Sequence, residues 1–130
     1  MTLQARLLFE DGTQFMGRYF TTPKDVYGEI VFNTAMSGYQ EVLTDPSYSN
    51  QCVVMTYPMI GNYGINLEDN ESNSIYLNAI ICKEYVDFPS NWQSVKTLKS
   101  YLDDHQKVGV ERFDTRAITL HVRNHGAQRV

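Results

Sequence analysis

GEIVFNTAMSGYQEVLTDPSYSNQCVVMTYPMIGNYGIN, residues Gly28 to Asn66, decides the fold of this chain. Two short apolar runs within it, Ile30 to Phe32 and Cys52 to Met55, lack polar alternation, the pattern of strands buried on both faces. Between them, Ser37-Gly38-Tyr39-Gln40 matches a capping box, in which the Ser37 hydroxyl accepts from the Gln40 amide while the Gln40 side chain reaches back to the Ser37 N–H. A short helix therefore starts there. It ends by Thr44, because Pro46 disfavours helical backbone at Asp45 and has no N–H to donate. Asp45 to Asn50 is then a turn-rich loop leading into the second buried strand. Tyr57-Pro58, Gly61-Asn62 and Gly64 follow, breaker residues beside a core that shape a rim.

Upstream, Leu3, Ala5, Leu7 and Phe9 alternate with Gln4, Arg6 and Glu10, the period of a half-buried strand. Glu10-Asp11-Gly12-Thr13 predicts a type I′ hairpin turn. The partner strand runs from Thr13 to Phe20, with Phe15, Gly17 and Tyr19 on one face, and Thr22-Pro23-Lys24-Asp25 ends it. Downstream, Ser74 to Cys82 reads as another core strand and Lys83-Glu84-Tyr85 as the exit from the sheet. Trp92, Val95, Leu98 and Leu102 recur at helical spacing and predict an amphipathic helix, in which Trp92 reads as core packing rather than cofactor contact. Val108 to Val110 is a short strand; Asp114 caps a helix from Thr115 to about Asn124, with Gly126 as its left-handed terminator. Helices interleaved with core strands after an opening hairpin make this a single α/β domain of 130 residues.

A net charge of −4 with scattered Lys and Arg argues against a nucleic-acid surface. No apolar run approaches the ~20 residues of a membrane span, and the residues after Met1 do not form a signal peptide, so a cytoplasmic location is expected. Cys52 and Cys82 lie in apolar strand-like runs and read as reduced, buried thiols. Neither has the marks of a nucleophile: Cys52 has no helix N-terminus or cation nearby in sequence, and Lys83 points away from Cys82 on a strand. His121 and His125 are four apart on a helix, but two ligands do not make a metal site, and His125 suits the helix C-terminus. His105, after Asp103-Asp104, reads as a solvated helix end. Glu68 to Asn73 reads as a solvated acidic turn, its spacing fitting no calcium loop. No Gly-rich phosphate loop is present in the sequence. What remains is the loop from Asp45 to Asn50. Its serines, Ser47 and Ser49, either present hydroxyls to a ligand or another domain or only satisfy turn hydrogen bonds.

Six pieces stand in order: Gly28-Glu29, Phe32-Asn33-Thr34, Gly38-Tyr39-Gln40-Glu41, Thr44-Asp45-Pro46-Ser47-Tyr48, Thr56-Tyr57-Pro58 and Gly61-Asn62-Tyr63-Gly64. With Asp114-Thr115-Arg116 and Gly126-Ala127, the chain resembles, over essentially its full length, the N-terminal domain of the small (glutamine amidotransferase) subunit of carbamoyl-phosphate synthetase. The resemblance implies a three-layer β/β/α swivelling architecture over residues 1–130. In that family a Cys-His-Glu triad in a C-terminal class I glutaminase domain hydrolyses glutamine. The ammonia passes through a tunnel to a large subunit, which uses bicarbonate, ATP and Mg²⁺ to make carbamoyl phosphate for arginine or pyrimidine biosynthesis. The resemblance therefore implies no catalytic residue, cofactor or metal in residues 1–130. The implied partners are the large subunit of a heterodimer, the glutaminase domain and glutamine, and the serine matching the one that touches glutamine is Ser47. The sequence given stops at Val130, before a glutaminase domain, so glutamine hydrolysis by this polypeptide alone is not expected. Met59 replaces a His common in the family, and Glu111-Arg112 is more charged than the family's small or apolar residues. The rival expectations are a free-standing homologous interaction module and an independent thiol hydrolase using Cys52 or Cys82.

Overall fold

A computed structural model describes residues 3–34, 39–61, 65–66, 74–86, 95–126 and 128–130. In chain order its elements are β1 (Gln4–Leu8), β2 (Gln14–Tyr19), β3 (Glu29–Asn33), α1 (Tyr39–Thr44), a 3-10 turn (Pro46–Tyr48), β4 (Gln51–Met55), β5 (Met59–Ile60), β6 (Ile65–Asn66), β7 (Ala79–Ile81), β8 (Glu84–Tyr85), β9 (Val95–Lys96), α2 (Leu98–Asp104), β10 (Val108–Glu111) and α3 (Thr115–His125). A six-stranded mixed sheet in the order β1-β2-β10-β7-β4-β3 forms the centre. Its β10, β7, β4 and β3 run parallel, and β2 joins β10 antiparallel at Tyr19–Val110 and Arg18–Glu111. Two further two-stranded ladders pair β5 with β8 and β6 with β9.

Side chains alternate across the parallel strands, so one sequence run serves two cores. Val53, Met55, Ile80 and Cys82 pack with Val42 and Leu43 of α1 and with Leu98, Tyr101 and Leu102 of α2. Cys52, Val54, Ala79, Ile81, Val108 and Val110 pack with Ala5, Leu7 and Phe9 of the first strand and its loop, and with Ile118 of α3. The β1–β2 hairpin thus curls back over one face of the sheet that continues it, while α1 and α2 cover the other. This is a three-layer α/β arrangement. A cleft of about 750 Å³ remains between the hairpin and the sheet, lined by Leu7, Phe9, Cys52, Ile81 and Val130 among others.

The boundaries depart from the sequence reading in five places. The hairpin loop is Glu10 to Gly12, not a type I′ turn: Gly12 donates to Phe9 O (2.9 Å), Phe9 N to Thr13 O (2.9 Å), and only Gly12 has positive φ. The Asp11 carboxylate takes the Thr13 N–H (2.9 Å) and holds Asp11 in ordinary backbone, giving a three-residue loop with its glycine at the bulge. β3 lies at the sheet's edge, so Ile30 is buried while Val31 and Phe32 are half-buried. Only Ala79–Ile81 of the expected Ser74–Cys82 strand is extended in the sheet; before it, Tyr76 N donates to Leu43 O of α1 and Asn78 N to Gln51 O at the start of β4. The helix expected from Trp92 begins at Leu98. Val95–Lys96 is a strand, and Thr97, extended, caps α2 by accepting the Ser100 N–H. Gly126 ends α3 with φ 83 but ψ 179, a positive-φ stop outside the left-handed helical region. The Ser37 half of the capping box, Trp92 and the acidic loop Glu68 to Asn73 lie outside the described residues; α1 itself ends at Thr44, as Pro46 requires.

Gly109 carries a spatial constraint, since a Cβ there would collide with the Phe20 ring. That ring is stacked on Tyr85 at 4.1 Å and cannot retreat freely. Gly109→Ala is therefore expected to lower stability by about 1–3 kcal/mol, read as a reduced denaturation midpoint, without changing the fold.

Candidate functional site

Pro46 fixes one φ of the loop between α1 and β4, and local hydrogen bonds from side chains and backbone hold the rest. Asp45 sits just before the 3-10 turn and accepts the Ser47 N–H on Oδ1 (2.9 Å). That backbone hydrogen bond, with a further contribution from the Ser47 hydroxyl, holds the Asp45 carboxyl below its usual range. Tyr48 N donates to Asp45 O (3.1 Å), and both the N–H and the hydroxyl of Ser49 donate to Pro46 O (3.1 and 2.7 Å). Asn50 then reverses the chain at φ 62 and donates its N–H to Tyr76 O (3.2 Å) at the entrance of β4.

Both serines of the loop touch their own turn, Ser47 through the Asp45 carboxylate and Ser49 through Pro46 O. Ser49 satisfies its own turn, the bland reading the sequence allowed. Ser47 lies exposed at the centre of the 3-10 turn. The next residue, Tyr48, packs its ring against the α1/α2 core, and its hydroxyl accepts from Asn33 Nδ2 (3.0 Å) at the end of β3. The sequence contained no signal for this Asn33–Tyr48 pair, since the two lie on separate elements with α1 between them.

Both cysteines are buried and free. Burial pushes the Cys52 thiol up to about 11, and burial together with Glu111 and Glu84 pushes Cys82 well above its ordinary value. Neither is placed to act as a thiolate nucleophile. His121 Nε2 lies 2.8 Å from Asp11 Oδ2, its ring packs edge-on to Phe9, and it stacks on His125 at 4.4 Å. Among the described residues no three His, Cys, Asp or Glu side chains lie together as a metal site. His105 Nδ1 contacts Tyr101 O (3.0 Å) at the close of α2.

The residues that depart from the resembled pattern have plain structural roles. Met59 opens β5 and is partly exposed. Glu111 is only 6% exposed; it pairs with Arg18 Nε (2.9 Å) and accepts the Tyr85 N–H (3.0 Å), tying β10 to β2 and to β8. No helix among the described residues is long and apolar enough to cross a membrane.

Comparison with known proteins agrees over nearly the whole chain. Residues 7–130 match the family model described as carbamoyl-phosphate synthase small chain, CPSase domain. The chain is 53% identical over 127 residues to the carbamoyl phosphate synthase small chain of Nitratidesulfovibrio vulgaris (Hildenborough) and 54% identical over 127 residues to that of Maridesulfovibrio salexigens, 98% of this chain in each case. It is 52% identical over 120 residues, 92% of this chain, to that of Cyanidium caldarium. The matched region is 34% of the two bacterial relatives and 30% of the third, so the chain spans about a third of their length.

Two outcomes follow from these environments. In the folded protein at pH 7 both thiols are expected to label slowly with a thiol reagent and to react at once on denaturation; fast stoichiometric labelling of the native state would contradict their burial. Asp11 is held below its ordinary value of 3.8, first by the Thr13 N–H and then by Gln128 and His121. A carboxyl lowered on folding stabilises the fold above its unfolded pKa and loses that contribution as pH falls. Denaturation midpoints are thus expected to drop below about pH 4, and Asp11→Asn to flatten part of that acid limb.

Proposed function

The chain belongs to the family of the carbamoyl-phosphate synthase small chain, matching its CPSase domain, and from that membership we propose that it serves as the non-catalytic N-terminal domain of a glutamine-dependent carbamoyl-phosphate synthase. In this reading it contacts the large subunit of a cytoplasmic heterodimer and helps to complete a glutamine site whose hydrolytic residues lie in a glutaminase domain. The large subunit then joins the released ammonia to bicarbonate using ATP and Mg²⁺, and the product feeds arginine or pyrimidine synthesis. Residues 1–130 supply no catalytic residue, cofactor or metal to this scheme. They supply Ser47.

The observation that carries this reading is the exposed Ser47 on a turn whose neighbouring side chains are committed to holding its shape. A hydroxyl held in this way on a rigid turn suits hydrogen bonding to a small polar ligand such as glutamine. The burial of Cys52 and Cys82 speaks against the thiol-hydrolase rival.

In the small chain assembled with its large partner, Ser47→Ala is expected to raise the glutamine KM about five-fold, the equivalent of one ordinary hydrogen bond of ~1 kcal/mol. The rate with ammonia supplied directly stays the same, because that route needs no glutamine. An unchanged glutamine KM would remove Ser47 from the site.

A further inference from the structure

Asp45, Pro46 and Ser49 determine the shape of the 3-10 turn, but every bond they make within it is local. None of these bonds sets where the turn sits relative to the sheet. A single turn of three residues has no cooperative stability of its own. It is flanked by two residues outside helical backbone, Asp45 at ψ 116 and Asn50 at φ 62. Its placement therefore depends on what ties it to the body of the domain.

Among the described residues, the Asp45 N–H to Val42 O bond (3.4 Å) joins the start of the turn to α1, and two further ties reach the sheet. The Asn50 N–H to Tyr76 O bond fixes the entrance to β4, after the turn has ended. Among the described residues, Tyr48 is the member of the turn that anchors it from within. Its ring packs against the core formed by Val42, Leu43 and Val53, and its hydroxyl receives a hydrogen bond from Asn33 Nδ2 at 3.0 Å. Asn33 is itself fixed, because its carbonyl accepts both the N–H (3.0 Å) and the hydroxyl (3.2 Å) of Thr56, just past β4. An unbroken series of contacts thus runs from the parallel strands through Asn33 and the Tyr48 hydroxyl to the residue beside Ser47.

We propose that Tyr48 and Asn33 are positioning residues for Ser47: their hydrogen bond sets the height and direction at which the turn presents the Ser47 hydroxyl to glutamine. The inference rests on the reading of Ser47 as a glutamine contact. Neither residue touches the ligand, and both act through the backbone of the turn. Losing the Tyr48–Asn33 bond leaves the turn's shape intact, held by Asp45 and Ser49, and frees it to shift against the sheet. The cost appears in glutamine affinity rather than in turnover.

The test is a cycle of variants in the assembled enzyme, with glutamine and ammonia as alternative nitrogen sources. Tyr48→Phe removes one oxygen atom and keeps the packed ring; it is expected to raise the glutamine KM about three-fold, with kcat and the ammonia-dependent rate unchanged. Asn33→Ala is the second route to the same loss, and thermal melting of both variants reports whether they fold. Combined with Ser47→Ala, neither substitution is expected to raise KM further, since no hydroxyl is left to position. If Ser47→Ala raises KM while folded Tyr48→Phe and Asn33→Ala leave it at the wild-type value, the positioning role is wrong and the Ser47 contact stands. Effects that multiply in the double variants likewise overturn positioning. If Ser47→Ala has no effect, the glutamine contact falls and the positioning role with it.

Discussion

Val53 and Val54 are neighbours on β4, point to opposite faces, and have no solvent exposure. A strand buried on both sides obliges the chain to build cover on both sides, each buried apolar side chain contributing about 1.5–3 kcal/mol when removed from water. One cover is helical: Leu43, Leu98 and Leu102 reach the sheet with no residual exposure. The other is the opening hairpin, which extends the sheet by pairing with β10 and then curls back over it, so that Ala5, Leu7 and Phe9 meet Cys52, Val54 and Ile81. The layering of the domain follows from that two-sided burial.

The candidate site is a by-product of the same constraint. α1 must place Val42 and Leu43 on the sheet, and its chain must then return within a few residues to begin β4. Pro46 stops the helix and the turn makes the return, with Tyr48 carried down to the core and Ser47 carried outward. Apolar burial on one side of a three-residue turn thus brings a polar side chain to the surface on the other. Rigid scaffolds commonly present functional loops in this way.

Two acidic residues bind together segments that the strands alone would leave loosely joined. Glu111 is nearly excluded from solvent and is tolerable there because Arg18 neutralises it and the Tyr85 N–H fills a lone pair. Asp11 joins the hairpin loop to α3 through His121 and to the final residues through Gln128. Those final residues pair with the edge of β3, where Ile30 N donates to Gln128 O (3.0 Å) and Val130 N to Gly28 O (2.8 Å). First and last segments of the chain therefore close on one another around the hairpin loop.

The sequence by itself determined the elements whose signals are local. The apolar run Cys52–Met55, the proline stop after Thr44, the hairpin about Gly12 and the Asp114 cap of α3 each depend on residues a few positions apart, and each is present where it was read. The ordered pieces from Gly28 to Gly64 also carried the family and, with it, attention to Ser47. Tertiary structure alone decided that the acidic Glu111 sits inside, that Asn33 reaches Tyr48, and that the helix expected from Trp92 begins at Leu98, after the strand Val95–Lys96. The reason is physical: a cap or a turn is closed by neighbours along the chain, whereas an ion pair between Arg18 and Glu111 or the strand pairing of Ile65 with Lys96 exists only once folding brings distant residues within hydrogen-bonding distance.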